Sequence, residues 1–158
     1  MKFADFVCFE ATIPELDSRN RDGAIAELVT ALDKAGRLKR GRREEVIKAV
    51  IKRENEASTG MGKGVALPHV KHQGVRDVVA AIGQSSVGLD FAALDEQPVY
   101  TVILILSPVK NPDKHLQAME SIFRPLQQEK FRKFLRQAHS PEQVEDLLRE
   151  VDENPSLL

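Results

Sequence analysis

Between residues 22 and 35 the apolar positions Ile25, Leu28, Val29 and Leu32 recur three and four apart, the spacing of one buried helix face. Asp22 stands where an N-cap would, and Gly36 where a helix stops. From Arg43 to Glu54 the pairs Val46/Ile47 and Val50/Ile51 repeat four apart, and the polar run Asn55 to Gly60 ends the pattern. The period then changes. Gly60-Met61-Gly62-Lys63-Gly64-Val65-Ala66-Leu67-Pro68 reads as a loop followed by a short strand. Val75 to Gly83 and Pro98 to Ser107 are nearly continuous in apolar, β-branched character, as strands covered on both faces are. Asn111-Pro112 supplies an N-cap and an N1 proline for a helix whose expected buried face is Leu116, Met119, Ile122, Phe123 and Leu126. Pro125 predicts a bend or break near Arg124, because a helix-interior proline costs about 3 kcal/mol. A helix over 129–138 follows, and Ser140-Pro141-Glu142-Gln143 opens a last one with Val144, Leu147, Leu148 and Val151 inward.

Two helices, three strands and closing helices predict an α/β fold, a small mixed β-sheet flanked by helices on both sides. With 158 residues, 42% hydrophobic and 30% charged, one domain spanning 1–158 is expected, with fraying at both termini. The formal net charge of -1 provides no global field for nucleic acid or an anionic membrane. Lys34, Arg37, Lys39, Arg40, Arg42 and Arg43 form a local basic run without an aromatic residue for base stacking. Asp33, Glu44 and Glu45 flank it, so it reads as a solvated loop first and a protein-docking patch second. One cysteine, Cys8, excludes an internal disulfide and suits a reducing compartment. No export signal or membrane-spanning stretch is predicted, so a cytoplasmic location is expected.

Among the histidines, His69 differs from His72, His115 and His139 because it follows Pro68 at the end of the short strand after the glycine-rich loop. Unpaired backbone amides at such a place can hold an anion. Gly60, Gly62 and Gly64 would let backbone approach a phosphoryl group, although composition alone favours a plain tight turn. An imidazole with a pKa near 6.5 is about three quarters neutral at pH 7 and is a competent nucleophile toward phosphorus without a cofactor. Phosphoryl transfer further needs positioning and positive charge, for which Arg53, Lys63, Lys71 and His115 are the candidates. His115 falls in the first turn of the helix after Asn111, near the positive end of its dipole, or is simply a polar surface position. Zinc on His69, His72 and His115 fits poorly, since a spacing of three suits a helix while Pro68 and Gly74 bracket a loop. Serine hydrolysis lacks its Gly-x-Ser-x-Gly elbow.

Arg53-Glu54, the run from Ser58-Thr59-Gly60 through Gly62 and Gly64 to Pro68-His69, Gly88-Leu89-Asp90-Phe91 and His115-Leu116 occur in one order. That set resembles the enzyme IIA domains of the fructose, mannitol and nitrogen-regulatory type in the phosphoenolpyruvate-dependent phosphotransferase system. The resemblance implies that His69 takes a phosphoryl group from the phosphohistidine of an HPr-like carrier. It also implies that Arg53 clamps the phosphoryl oxygens and that His115 orients or stabilises that state, while Ser58, Thr59, Gly60, Gly62 and Gly64 form the loop of the phosphoryl site. No metal or other cofactor is implied. The onward partner is a IIB domain, or a regulated target protein in the nitrogen-type branch. The sequence departs from the family at Val70-Lys71, where glycine and a small or polar residue are frequent, and at Pro125. The alternative function is a protein-docking module of the same fold that is not phosphorylated.

Overall fold

The computed structural model describes residues 1–157. At its centre lies β5 (Val99–Ser107), buried at every position except the half-buried Tyr100. On one side β5 pairs antiparallel with β4 (Val79–Leu89), Val79 facing Leu106 and Gln84 facing Thr101. On its other side two short pieces, β2 (Val65–Ala66) and β3 (His69–Lys71), run parallel to it in one continuous register. Val65 faces Thr101 and His69 faces Ile105. They are one strand interrupted at Leu67-Pro68, where the proline has no N–H to give the ladder. β1 (Gly60–Gly62) folds back antiparallel onto β2 through Lys63 and Gly64, both at positive φ (59° and 81°).

Helices cover both faces. Side chains alternate along a strand, so β5 sends Val102, Leu104 and Leu106 one way and Ile103 and Ile105 the other. The first set packs with Ile25, Leu28 and Leu32 of α2 (Arg21–Lys34) and Val46 and Val50 of α3 (Arg43–Glu56). The second packs with α1 (Phe3–Phe6), α4 (Pro112–Leu126), α5 (Glu129–Gln137) and α6 (Pro141–Glu153), through Phe3, Ile122, Phe131, Leu135 and Leu148. This is the expected mixed α/β architecture, and burial on both faces explains the unbroken apolar reading of residues 99–107.

Several local expectations are corrected. The described residues form five strands rather than three, because the glycine-rich stretch is a hairpin arm and His69 itself lies in a strand. β4 begins at Val79 and extends to Leu89, while Val75 makes only a bridge to Leu38. The cap of α2 is Asn20 rather than Asp22, its Oδ1 accepting from the Gly23 N–H at 2.8 Å. The break expected at Pro125 is present: the proline sits in the last turn of α4, which ends one residue later, and Gln128 N–H closes the end on the Pro125 carbonyl at 3.0 Å. The N-terminus is docked: Phe3 and Phe6 are buried, and the Asp152 carboxylate accepts from the Phe3 and Ala4 N–H groups. Val7 and Ile13 then bridge in parallel to Ala80 and Gly83 on the outer edge of β4.

The face of α4 is also turned. His115 and Ala118 point inward, whereas Leu116 and Phe123, expected inside, are 66% and 45% exposed. Alanine lets the helix approach β5 closely, and that approach carries the histidine beneath the surface.

Candidate functional site

His69 stands where the interrupted strand resumes. Its Nδ1 lies 2.8 Å from the Leu67 carbonyl oxygen, which can only accept, so the ring carries its proton at Nδ1. The lone pair is therefore on Nε2. Burial holds the His69 imidazole below its ordinary value of 6.5; Arg53 and Lys71 press in the same direction, against the Leu67 bond and Glu54. At neutral pH the ring is uncharged and its Nε2 is a free nucleophile.

His115 meets it from α4, with ring centroids 5.5 Å apart and planes inclined by 43°. The surface reading of His115 fails, since the residue is only 7% exposed. Its Nδ1 is 2.6 Å from the Ser107 hydroxyl at the end of β5. Ser107 is fully buried, and its hydroxyl has no other acceptor among the described residues. A buried O–H must donate, so Ser107 donates to Nδ1 and His115 carries its proton on Nε2. Burial first, then the charges of His69 and Lys71, push the His115 pKa down to about 4. The pair thus offers a nucleophile on one ring and a neutral N–H donor on the other.

Arg53 lies in the last turn of α3, which packs on β3, and donates from Nη1 to the Ala57 carbonyl at 3.0 Å. That bond uses one of five guanidinium donors. The neighbouring Glu54 is buried, and its carboxylate accepts from the Thr59 N–H at 2.6 Å and the Thr59 hydroxyl at 2.7 Å. Ser58 donates from its hydroxyl to the Phe91 carbonyl and accepts from the Gly60 N–H. Gly60 is required by packing, because a Cβ there would lie 2.9 Å from the Ala93 backbone. Glu54, Ser58, Thr59 and Gly60 thereby fix the chain between α3 and the hairpin, next to Arg53.

Gly62 and Gly64 do something else. They shape the hairpin turn beside Tyr100, where the Gly64 carbonyl accepts from the Tyr100 and Thr101 N–H groups. Gly64 is five positions up the strand from His69, roughly 16 Å at the rise of an extended chain. Their expected place around a phosphoryl group is corrected, and Lys63 leaves the site with them. His72 does not join His69 either; its Nδ1 accepts from the Gly74 N–H at 2.8 Å. Ser107 and Glu54 are positioning residues to which the sequence assigns no role, although Glu54 stands in the Arg53-Glu54 pair. Ser107 is visible in sequence only as the polar end of an apolar strand.

Fold and site together define a class: a helix-flanked mixed sheet that presents a neutral, nucleophilic imidazole at a strand end beside a guanidinium and a second, N–H-donating imidazole. Residues 9–151 match the family model described as "Phosphoenolpyruvate-dependent sugar phosphotransferase system, EIIA 2", and the chain belongs to that family. It is 33% identical over 152 residues to the PTS system fructose-specific EIIABC component of Bacillus subtilis, covering 96% of this chain but only 24% of that protein. It is 36% identical over 133 residues to the PTS system fructose-specific EIIA component of Haloferax volcanii, covering 84% of this chain and 85% of the relative. The fold matches the crystal structure of nitrogen regulatory protein IIA-Ntr from Neisseria meningitidis with a TM-score of 0.81 at 24% identity, over 92% of this chain and 97% of that one. The chain is a component of the phosphotransferase system. No helix among the described residues is long and apolar enough to cross a membrane.

Proposed function

We propose that this chain carries a phosphoryl group on His69 Nε2, taken in the cytoplasm from the phosphohistidine of an HPr-like carrier and passed to a IIB domain. The observation that carries the reading is the bond from His69 Nδ1 to the Leu67 carbonyl, which leaves Nε2 unprotonated and open. In the transfer the Nε2 lone pair attacks phosphorus as the donor's N–P bond breaks, and that electron pair returns to the donor imidazole. No proton has to leave the attacking nitrogen. The Leu67 carbonyl then faces the positive charge that the phosphorylated ring acquires, while Arg53 and the His115 N–H stabilise charge on the phosphoryl oxygens. No metal or nucleotide enters this scheme. Delivery to a IIB domain is preferred over display to a regulated target because the relatives at 36% and 33% identity are named as fructose-specific components, while the Klebsiella oxytoca relative named a nitrogen regulatory protein is 31% identical over a shorter stretch of 112 residues.

The test is phosphate incorporation from phosphoenolpyruvate through enzyme I and HPr, read by intact mass at neutral pH, followed by addition of a fructose-type IIB domain. One acid-labile phosphoryl group, absent in His69→Ala and discharged by IIB, is expected. A stable phosphorylated form that no IIB discharges would move the reading to regulation. No incorporation would leave a docking module.

A further inference from the structure

A second charged place lies at the other end of β5 from His69. There the hairpin turn and α5 enclose an open cleft of about 640 Å³, within the range of sites that hold small molecules. Lys63 faces it from the turn, Arg132, Lys133 and Arg136 from α5, and His139 from just beyond; Glu129 is its one carboxylate. Four fixed cations against one acid is a strong local excess in a chain whose net charge is -1. None of the four has an ion-pair partner among the described residues.

Two of the cations are held in place by uncharged groups. Arg132 donates from Nη1 to the Leu126 carbonyl at 2.6 Å, at the end of α4. The Arg136 guanidinium lies 3.7 Å from the centre of the Tyr100 ring. Neither contact neutralises charge, and each leaves most guanidinium N–H donors open. Four residues apart on one helix, the two side chains leave the same face one turn apart. Guanidinium forks fixed in this way match the oxygens of a phosphate monoester and lose little side-chain freedom on binding one. A flat docking patch for an acidic protein would not need concavity, nor cations immobilised in advance.

We propose that the cleft between the Lys63-Gly64 turn and α5 binds a small phosphorylated metabolite, a phosphate monoester held by Lys63, Arg132, Lys133 and Arg136. The site is distinct from that of His69 and does not depend on phosphoryl transfer there. The ester's phosphate sits between the two guanidinium groups, and its polar body lies toward Gln137 and His139 in the remaining volume.

The experiment titrates the full chain with fructose 1-phosphate, with inorganic phosphate and with fructose, at an ionic strength of about 0.15 M, following backbone amides by NMR. Expected is saturable binding of the ester with a dissociation constant of ~1 mM or tighter, weaker binding of inorganic phosphate and none of fructose. Shifts should concentrate at residues 63–65, 101 and 129–139. Lys133→Gln/Arg136→Gln, both at exposed positions, should weaken ester binding at least about tenfold while leaving phosphorylation by HPr unchanged. Arg132→Lys, which keeps the charge and loses the fork, should weaken it by a smaller factor. No saturation by ~10 mM ester, equal shifts at the 34–43 basic run, or undiminished binding by the double variant would overturn the proposal. So would a polyglutamate peptide that binds this face where the ester does not, which would assign it to an acidic polypeptide.

Discussion

His69 and His72 sit three residues apart on one edge of the sheet, yet backbone chemistry gives them opposite rings. His69 Nδ1 meets a carbonyl and must donate; His72 Nδ1 meets the Gly74 amide and must accept. The first ring keeps a lone pair on Nε2, with the His115 ring 5.5 Å away between centroids and the Arg53 charge close enough to act on it. The second places its proton on Nε2, 4.0 Å from the Glu45 carboxylate. Nucleophilicity is thus decided by one backbone atom two residues away, rather than by histidine content or exposure. The interruption at Pro68 makes that atom available: the Leu67 carbonyl turns to the side chain at the point where the ladder breaks.

The contrast is broken most completely by exchanging the two rings' capacities. His69→Gln should abolish phosphoryl acceptance, a loss of at least ~10³-fold in single-turnover transfer from phospho-HPr, whereas His72→Gln should stay within about twofold. Equal losses in the two variants would remove the distinction. Next in size is the Arg53 guanidinium near His69, which has no carboxylate partner among the described residues, whereas Arg42 near His72 is paired with Glu45. Arg53→Lys keeps a positive charge and loses the fork, and should slow transfer about 10²-fold with little change in thermal midpoint. Full activity in that variant would mean that Arg53 acts only as a structural cap on Ala57.

The Ser107 bond is the next lever. Ser107→Ala removes the donor to His115 Nδ1 and frees that ring to change tautomer. Hydrolysis of the phosphorylated chain should accelerate about tenfold, and Ser107→Thr should restore the native rate. Loss of fold stability with an unchanged hydrolysis rate would reduce Ser107 to a packing role. Glu54→Ala tests the scaffold: it strips two bonds from Thr59 and should cost about 3 kcal/mol in urea unfolding.

The smallest effect is in pH. The His115 pKa falls from 6.5 in an exposed ring to about 4 in the fold, so between these values the unfolded chain binds the proton and the native chain does not. Stability should therefore decline as pH falls from 6.5 toward 4. His69, also held down, adds to the slope, and His115→Gln should flatten it. An equally steep decline in that variant would place the linkage in other groups.

The same contrast shows what could be read from the chain alone. Arg53, His69 and His115 stand out in the chain through their motifs, and α2 and α3 through their periodicity. The tautomers do not, because they depend on where Leu67 and Gly74 direct their backbone groups. Part of the α4 face departs from its pattern for a related reason. Ile122, Leu126 and the partly buried Met119 face the core as their spacing implies, but Leu116 and Phe123 stay exposed while His115 is buried against Ser107. Hydrophobic patterning has no term for a site that draws a polar ring inward. Gly62 and Gly64 belonged to a real motif but serve its hairpin turn, since a strand separates them from the histidine. The N-terminal bridges at Val7 and Ile13 were invisible because each is a single long-range pairing with no period of its own.

The central claim is tested most directly by NMR of the chain labelled with ¹⁵N in its histidine rings, before and after phosphorylation by phosphoenolpyruvate, enzyme I and HPr. The account predicts that free His69 carries its proton on Nδ1 while His72 and His115 carry theirs on Nε2, and that one phosphoryl group then appears on His69 Nε2 alone. A proton found on His69 Nε2, or a phosphoryl group on Nδ1 or on another histidine, would contradict it.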